Sequence, residues 1–234
     1  MKNNFSLAGL FVMLGLAFVG VMIPVAVTRL KAYDRTVDVK GLCEKEVMAD
    51  KVIWPISHKA VGNDFQAVSA SLDAQTKAIV NFLKSNGVTE DEISVSIPRI
   101  IDRLAQDYVN DSRGFRYLGK SSITVCSKDV EKILKVMGRT ETLVNKGINI
   151  NQEEWGQEPT FLYESLNDIK PEMIAEATAN ARAAADKFAK DSGSKVGKIK
   201  SATQGTFSIE DRDSFTPHIK NVRVVTYLTY YLNN

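Results

Sequence analysis

Residues 168–193, DIKPEMIAEATANARAAADKFAKDSG, read as one long helix, and that helix sets the fold around it. Asp168 is placed to cap it, Pro171 falls in the first turn where a missing N–H costs nothing, and Gly193 marks the stop. Between Ala175 and Ala189 alanine dominates. Alanine favours helix and has no bulk to hold a neighbour away, so this helix is suited to lying close on a sheet.

The flanking residues supply the sheet. Upstream, Ile148 and Ile150 open a strand, a hairpin is expected near Glu158-Pro159, and Phe161, Tyr163 and Ser165 continue on its far side. Downstream, two strands are expected over roughly 195–208 and 221–232. In the second, Val222, Val224, Thr226, Leu228 and Tyr230 share one face.

The same grammar runs back towards the start. Val37, Val39 and Gly41 alternate with Asp38 and Lys40, and a second strand over Lys51–Ala60 puts Val52, Trp54 and Ile56 on one face. Pro55 argues for an edge or a bulge there. A helix follows from an Asn63 cap, with Phe65, Val68, Leu72, Ile79, Phe82 and Leu83 at helical spacing and Gly87 as its stop. Ile93 to Ile101 reads as a strand interrupted by Pro98, residues 102–113 as a polar loop, and Phe115 to Val125 as the returning strand. A second helix is expected from a Ser127 cap to Asn145, before Gly147. The order is strand–strand–helix three times, then a strand pair. Hairpin links exclude a doubly wound parallel fold and give an α+β class, antiparallel sheet packed by helices, as one domain over residues 33–234.

Residues 1–32 are different. Leu7–Val27 carries no charge, and 21 helical residues at 1.5 Å each span roughly 30 Å, the depth of a bilayer's hydrocarbon. Ala26 and Thr28, with Arg29 directly after, make a poor cleavage site, so the segment reads as a transmembrane anchor and not a removed signal. Lys2 before it and Arg29 and Lys31 after it leave the orientation undecided by charge. The partner implied is a lipid bilayer, through residues 7–27. A net charge of +2 without a basic run excludes a nucleic-acid partner.

Three stretches also resemble bacterial SIMPL-domain proteins: KGLCEKEVMADKVIWPI at 40–56, LNDIKPEMIAEATANARAAADKFAKDSGSKVGKIKSATQG at 166–205, and VRVVTYLTYYL at 222–232. The resemblance implies an extracytoplasmic, usually periplasmic, α+β domain. It further implies self-assembly and, for some members, a link to oxidative-stress defence or to immunogenicity of the cell envelope. It supplies no catalytic residues. Combined with the anchor, it implies a single-pass protein of the bacterial inner membrane with its domain in the periplasm.

Few residues suggest chemistry. His58 and His218 are the only histidines, and neither lies in a metal-ligand motif. Glycine loops that cradle phosphate are missing, and the acidic Glu210-Asp211-Arg212-Asp213 lacks the spacing of a calcium loop. No catalytic, cofactor or metal residue is expected. Cys43 and Cys126 are the candidate redox thiols; they are expected on opposite faces of a sheet, which disfavours a disulfide. A Cys43–His58 nucleophile and base would need the fold to bring them together. The function expected is non-enzymatic, through self-assembly into a homo-oligomer or binding of an envelope partner. The alternatives are a thiol-based redox sensor and a small-molecule binding module.

Overall fold

The computed structural model describes residues 4–32, 35–105, 114–148, 150–151 and 158–233. Helix α1 (Asn4–Ala32) leads into β1 (Thr36–Met48) and β2 (Lys51–Gly62), then α2 (Phe65–Ser85). Next come β3 (Ile93–Val95), β4 (Arg99–Asp102), β5 (Tyr117–Ser127), α3 (Val130–Met137) and α4 (Glu141–Val144). The chain closes with β6 (Ile150–Asn151), β7 (Thr160–Leu162), α5 (Leu166–Asp191), β8 (Lys195–Gln204), β9 (Ser208–Asp211) and β10 (Ile219–Asn233). The class is α+β with antiparallel sheets packed by helices. Within α1, Gly9–Val27 is long and apolar enough to cross a membrane, with mean hydropathy 2.6.

Where the sequence suggested one domain over 33–234, the chain groups into two compact units. The first comprises Met1–Lys45, Asn167–Ser208 and Val222–Asn234; the second, Glu46–Leu166 and Ile209–Asn221.

In the first unit β10 is the middle strand, between β1 and β8. The side chains of α5 that bury are Met173, Ala177, Ala181, Ala185 and Ala189, four apart and so on one stripe. Ala181 and Ala185 pack with Val39, Leu228 and Tyr230. The alanines are needed because β1 comes close: a β-carbon at Gly41 would lie 1.8 Å from the Ala177 carbonyl oxygen. Helix α5 begins at Leu166, so Asp168 lies inside its first turn and does not cap it, and Pro171 falls in the second turn. Gly193, at φ +67°, ends the turn that follows, as read.

The second unit is built on a six-stranded sheet in the order β3-β5-β2-β6, with β4 also on β5 and β7 also on β2. Val52, Trp54 and Ile56 of β2 and Ile123 and Val125 of β5 point to one face, where Ile79, Phe82 and Leu83 of α2 and Ile133 of α3 close over them. Because β2 is an interior strand paired regularly with β5, Pro55 marks neither an edge nor a bulge. It falls between the residues that pair with β7 (Lys51–Ile53) and those that pair with β6 (Ser57 and His58). Among the described residues, no strand there requires its missing N–H.

Several local expectations shift by a residue or two. The α2 cap is Asp64, whose carboxylate accepts the Ala67 N–H at 2.7 Å, while Asn63 accepts from Arg116 across the sheet. The α3 cap is Asp129; Ser127 still belongs to β5. The expected second helix is two pieces, broken at Gly138–Thr140, where the Thr140 hydroxyl donates to the Met137 carbonyl. β6 and β7 run in the same direction along β2, so they are not the two arms of a hairpin. Most of the residues between them, and most of the expected loop at 102–113, lie outside the described residues.

Candidate functional site

Each candidate thiol meets a different environment. Cys43 follows Val39 and Gly41 on the α5 side of β1 and is buried, 2% exposed. Burial, then a hydrogen bond with Glu176 and that carboxylate's charge, push its thiol up to about 11, so the thiolate is suppressed. Cys126, near the end of β5, is exposed. Both are free thiols, and they sit on two separate sheets, β1's and β5's, where the sequence reading had put them on opposite faces of one.

The histidines are held structurally. His58 is fully buried on the α2 side of β2. Its Nε2 lies 2.9 Å from the Thr76 hydroxyl, which itself donates to the Leu72 carbonyl. That hydroxyl has one proton to give, so Nε2–H must be the donor to it. Nδ1 is left as a buried acceptor with no partner. Desolvation lowers the pKa of the ring, against a smaller upward pull from the Leu72 carbonyl, and favours its neutral form. His218 accepts the Ala49 N–H at its carbonyl and sets its ring edge-on to Phe161, centroids 5.9 Å apart. His58 and Cys43 stand on different sheets.

The acidic run at 210–213 spans the end of β9 and the start of the turn into β10. Asp211 pairs with Lys220. Asp213 takes the Thr216 hydroxyl, the Arg212 guanidinium and the N–H groups of Phe215 and Thr216, which together hold it well below the usual carboxylate range. Its oxygens are spent on this turn. Among the described residues, no cluster of three or more His, Cys, Asp or Glu side chains is arranged to hold a metal ion.

A polar concave surface lies on the face of the second unit's sheet turned away from α2. Lys59 of β2 stands opposite Lys120 of β5, and Arg99 of β4 stands opposite the same Lys120. One step along, Ser57 is opposite Ser122, whose hydroxyl and N–H both donate to the Ser96 hydroxyl. These residues line a cavity of about 200 Å³. Sequence reading overlooked this set. Its members are scattered from position 57 to position 122, and only the strand register collects them.

No curated protein matches the chain. The family profile of SIMPL, a protein family of unknown function (DUF541), matches residues 37–221. That span runs from the first residues of β1 into β10 and takes in both sheets. Since it covers well over half of the sequence, and agrees with the three resembling stretches, the chain belongs to the SIMPL family.

Proposed function

We propose that this is a membrane-tethered protein of the bacterial envelope, its folded part on the periplasmic side, that works by association and not by catalysis. The observation that carries the reading is β8. This ten-residue strand pairs with β10 along one side and forms an edge of the first unit's sheet, and almost all of it is exposed. An open edge is a row of unpaired N–H and C=O groups that another strand can complete. Its two halves differ. The first carries Lys195 and Lys198, and register shifts break its pairing between Thr229 and Leu232, features that discourage a partner strand. The second, Ser201–Gln204, pairs regularly with Thr226–Thr229 and bears no charge. This half is the one suited to a second copy or an envelope partner.

The test is the mass of the detergent-solubilised chain by light scattering over a concentration series, for wild type and for Thr203→Lys. A discrete oligomer that the lysine dissociates supports the reading; a strict monomer at every concentration overturns it. The exposure of Cys126 favours a second reading, a thiol that reports or consumes oxidant. Peroxide consumption equal in wild type and in Cys43→Ser/Cys126→Ser would end it.

A further inference from the structure

With α1 across a bilayer, the chain leaves the first unit little slack. Gly9–Val27 is the apolar part of α1, the helix runs on to Ala32, and β1 starts at Thr36. Five helical residues and four extended steps keep the start of β1 within about 20 Å of the hydrocarbon edge. Hydrogen bonds identify what else lies at that end of the unit. The Leu232 N–H donates to the Arg35 carbonyl at 2.8 Å, Asn233 stands opposite Lys195, and the Arg35 guanidinium donates to the Ser194 hydroxyl at 3.0 Å. The start of β1, the end of β10, the start of β8 and the Gly193 turn after α5 therefore meet there.

That end is cationic. Residues 186–200, DKFAKDSGSKVGKIK, carry five lysines against two aspartates, all of them exposed. Each aspartate is already paired, Asp186 with Arg182 at 3.3 Å and Asp191 with Lys187 at 3.6 Å. Lys190 and Lys195 stand on either side of the turn and line one concavity, with Asp186. Phe188, in the last turn of α5, is 61% exposed. Guarding a sheet edge accounts for the lysines of β8 but not for Lys187 and Lys190, which belong to α5.

We propose that this end of the first unit seats on anionic phospholipid headgroups, in the leaflet from which α1 emerges. Charge is complementary: lysines are drawn to a negative membrane surface over about a Debye length, roughly 8–10 Å at moderate salt, and the short link holds them near that range. The side chains also fit the membrane interface, where an aromatic ring settles at headgroup level and lysines lay their stems on apolar surface with the ammonium in the polar layer. The lysines are spread over a helix and a strand, so the partner is a surface of many headgroups. Seating would leave the uncharged half of β8 clear, since Ser201 lies about 20 Å along the strand from Lys195. It depends on α1 being a membrane anchor, as proposed above.

The experiment places the full chain in nanodiscs of phosphatidylcholine, with or without phosphatidylglycerol, doped with a lipid that carries a nitroxide on its headgroup. Ser192→Cys in a Cys126→Ser background carries a fluorophore; Cys43 is buried and stays unlabelled. Quenching should be stronger with phosphatidylglycerol and should fall as salt is raised. Lys190→Gln/Lys195→Gln/Lys198→Gln should lower the ratio of seated to free units about fivefold for each lysine replaced. Quenching that is equal in the two lipids, unchanged by salt, or equal in wild type and the triple variant overturns the proposal, because tethering alone would then explain it. The salt series needs no lysine replaced, so it decides even where the triple variant fails to fold. Co-elution of chain and discs reads the anchor separately: a chain that never enters the discs overturns the anchor and the seating together, whereas one that enters without lipid dependence overturns the seating alone.

Discussion

Gly41→Ala tests whether the first unit depends on direct backbone approach between β1 and α5. The added methyl would sit 1.8 Å from the carbonyl oxygen of Ala177 and 2.6 Å from the amide nitrogen of Ala181. Both obstacles are backbone, so no rotamer change relieves them. Ordinary contact needs about 3.5 Å, and strand and helix must therefore part by about 1.7 Å. A radial gap of only 0.5–1 Å already forfeits a quarter to a half of the dispersion energy across a contact. The seam that opens includes Met173, Ala177, Ala181 and Ala185, all fully buried. Adding this loss to the usual cost of overpacking gives about 3–5 kcal/mol, a large share of the ~5–15 kcal/mol that holds a typical domain together. The unfolding midpoint should fall by roughly 6–20 °C. Urea unfolding of the detergent-solubilised chain, followed by circular dichroism, measures the loss, and faster alkylation of Cys43 reports the lifted helix. Gly138→Ala is the control: its β-carbon would meet nothing nearer than 3.6 Å, at a helical φ of −63°, so stability should change by less than about 1 kcal/mol. A Gly41→Ala loss below about 1 kcal/mol would refute the reasoning.

Three other outcomes follow from the titrating side chains. Burial holds the folded pKa of His58 below its ordinary 6.5, so the stability tied to its neutral form is complete above about pH 6.5 and drains as pH falls towards the folded value. The urea midpoint of wild type should drop over that window and that of His58→Gln should drop less; parallel profiles would contradict the buried neutral ring. Desolvation pulls Glu92 up, but the Ser127 hydroxyl, the Thr89 N–H and hydroxyl and the Lys132 ammonium outweigh it and hold the carboxyl at about 2, below an ordinary 4.5. Its contribution is present above pH 4.5 and lost as pH falls from there to about 2, so Glu92→Gln should cost roughly 2 kcal/mol at neutral pH and almost nothing near pH 2. A maleimide should label one thiol of the folded chain, Cys126, and reach Cys43 only in denaturant; rapid double labelling, read by mass spectrometry, would show that β1 is not sealed under α5.

What was legible in the sequence was whatever runs along the chain. The buried face of β10, the alanine stripe of α5 and the stops at Gly87, Gly147 and Gly193 are periodic or local signals, and all three glycines adopt the positive φ that such stops require. Caps were harder because good capping residues came in neighbouring pairs. Asn63 and Asp64 are equally apt by composition; the choice falls to Asp64 because Asn63 is occupied by Arg116, 53 residues away. Pro55 misled for a related reason. A proline rule that reads one strand in isolation has no knowledge that the strand's second neighbour is two short pieces with a space between them.

The candidate site was illegible for a deeper physical reason. A sheet writes its surface chemistry across the strands, and sequence alternation states only which face a residue takes, not what stands beside it. Lys59, Arg99 and Lys120 are each unremarkable as polar residues of half-buried strands. Register turns them into a row. That row is not needed to build the fold, because the core of the second unit, with Trp54, Ile56, Ile123 and α2, lies on the other face.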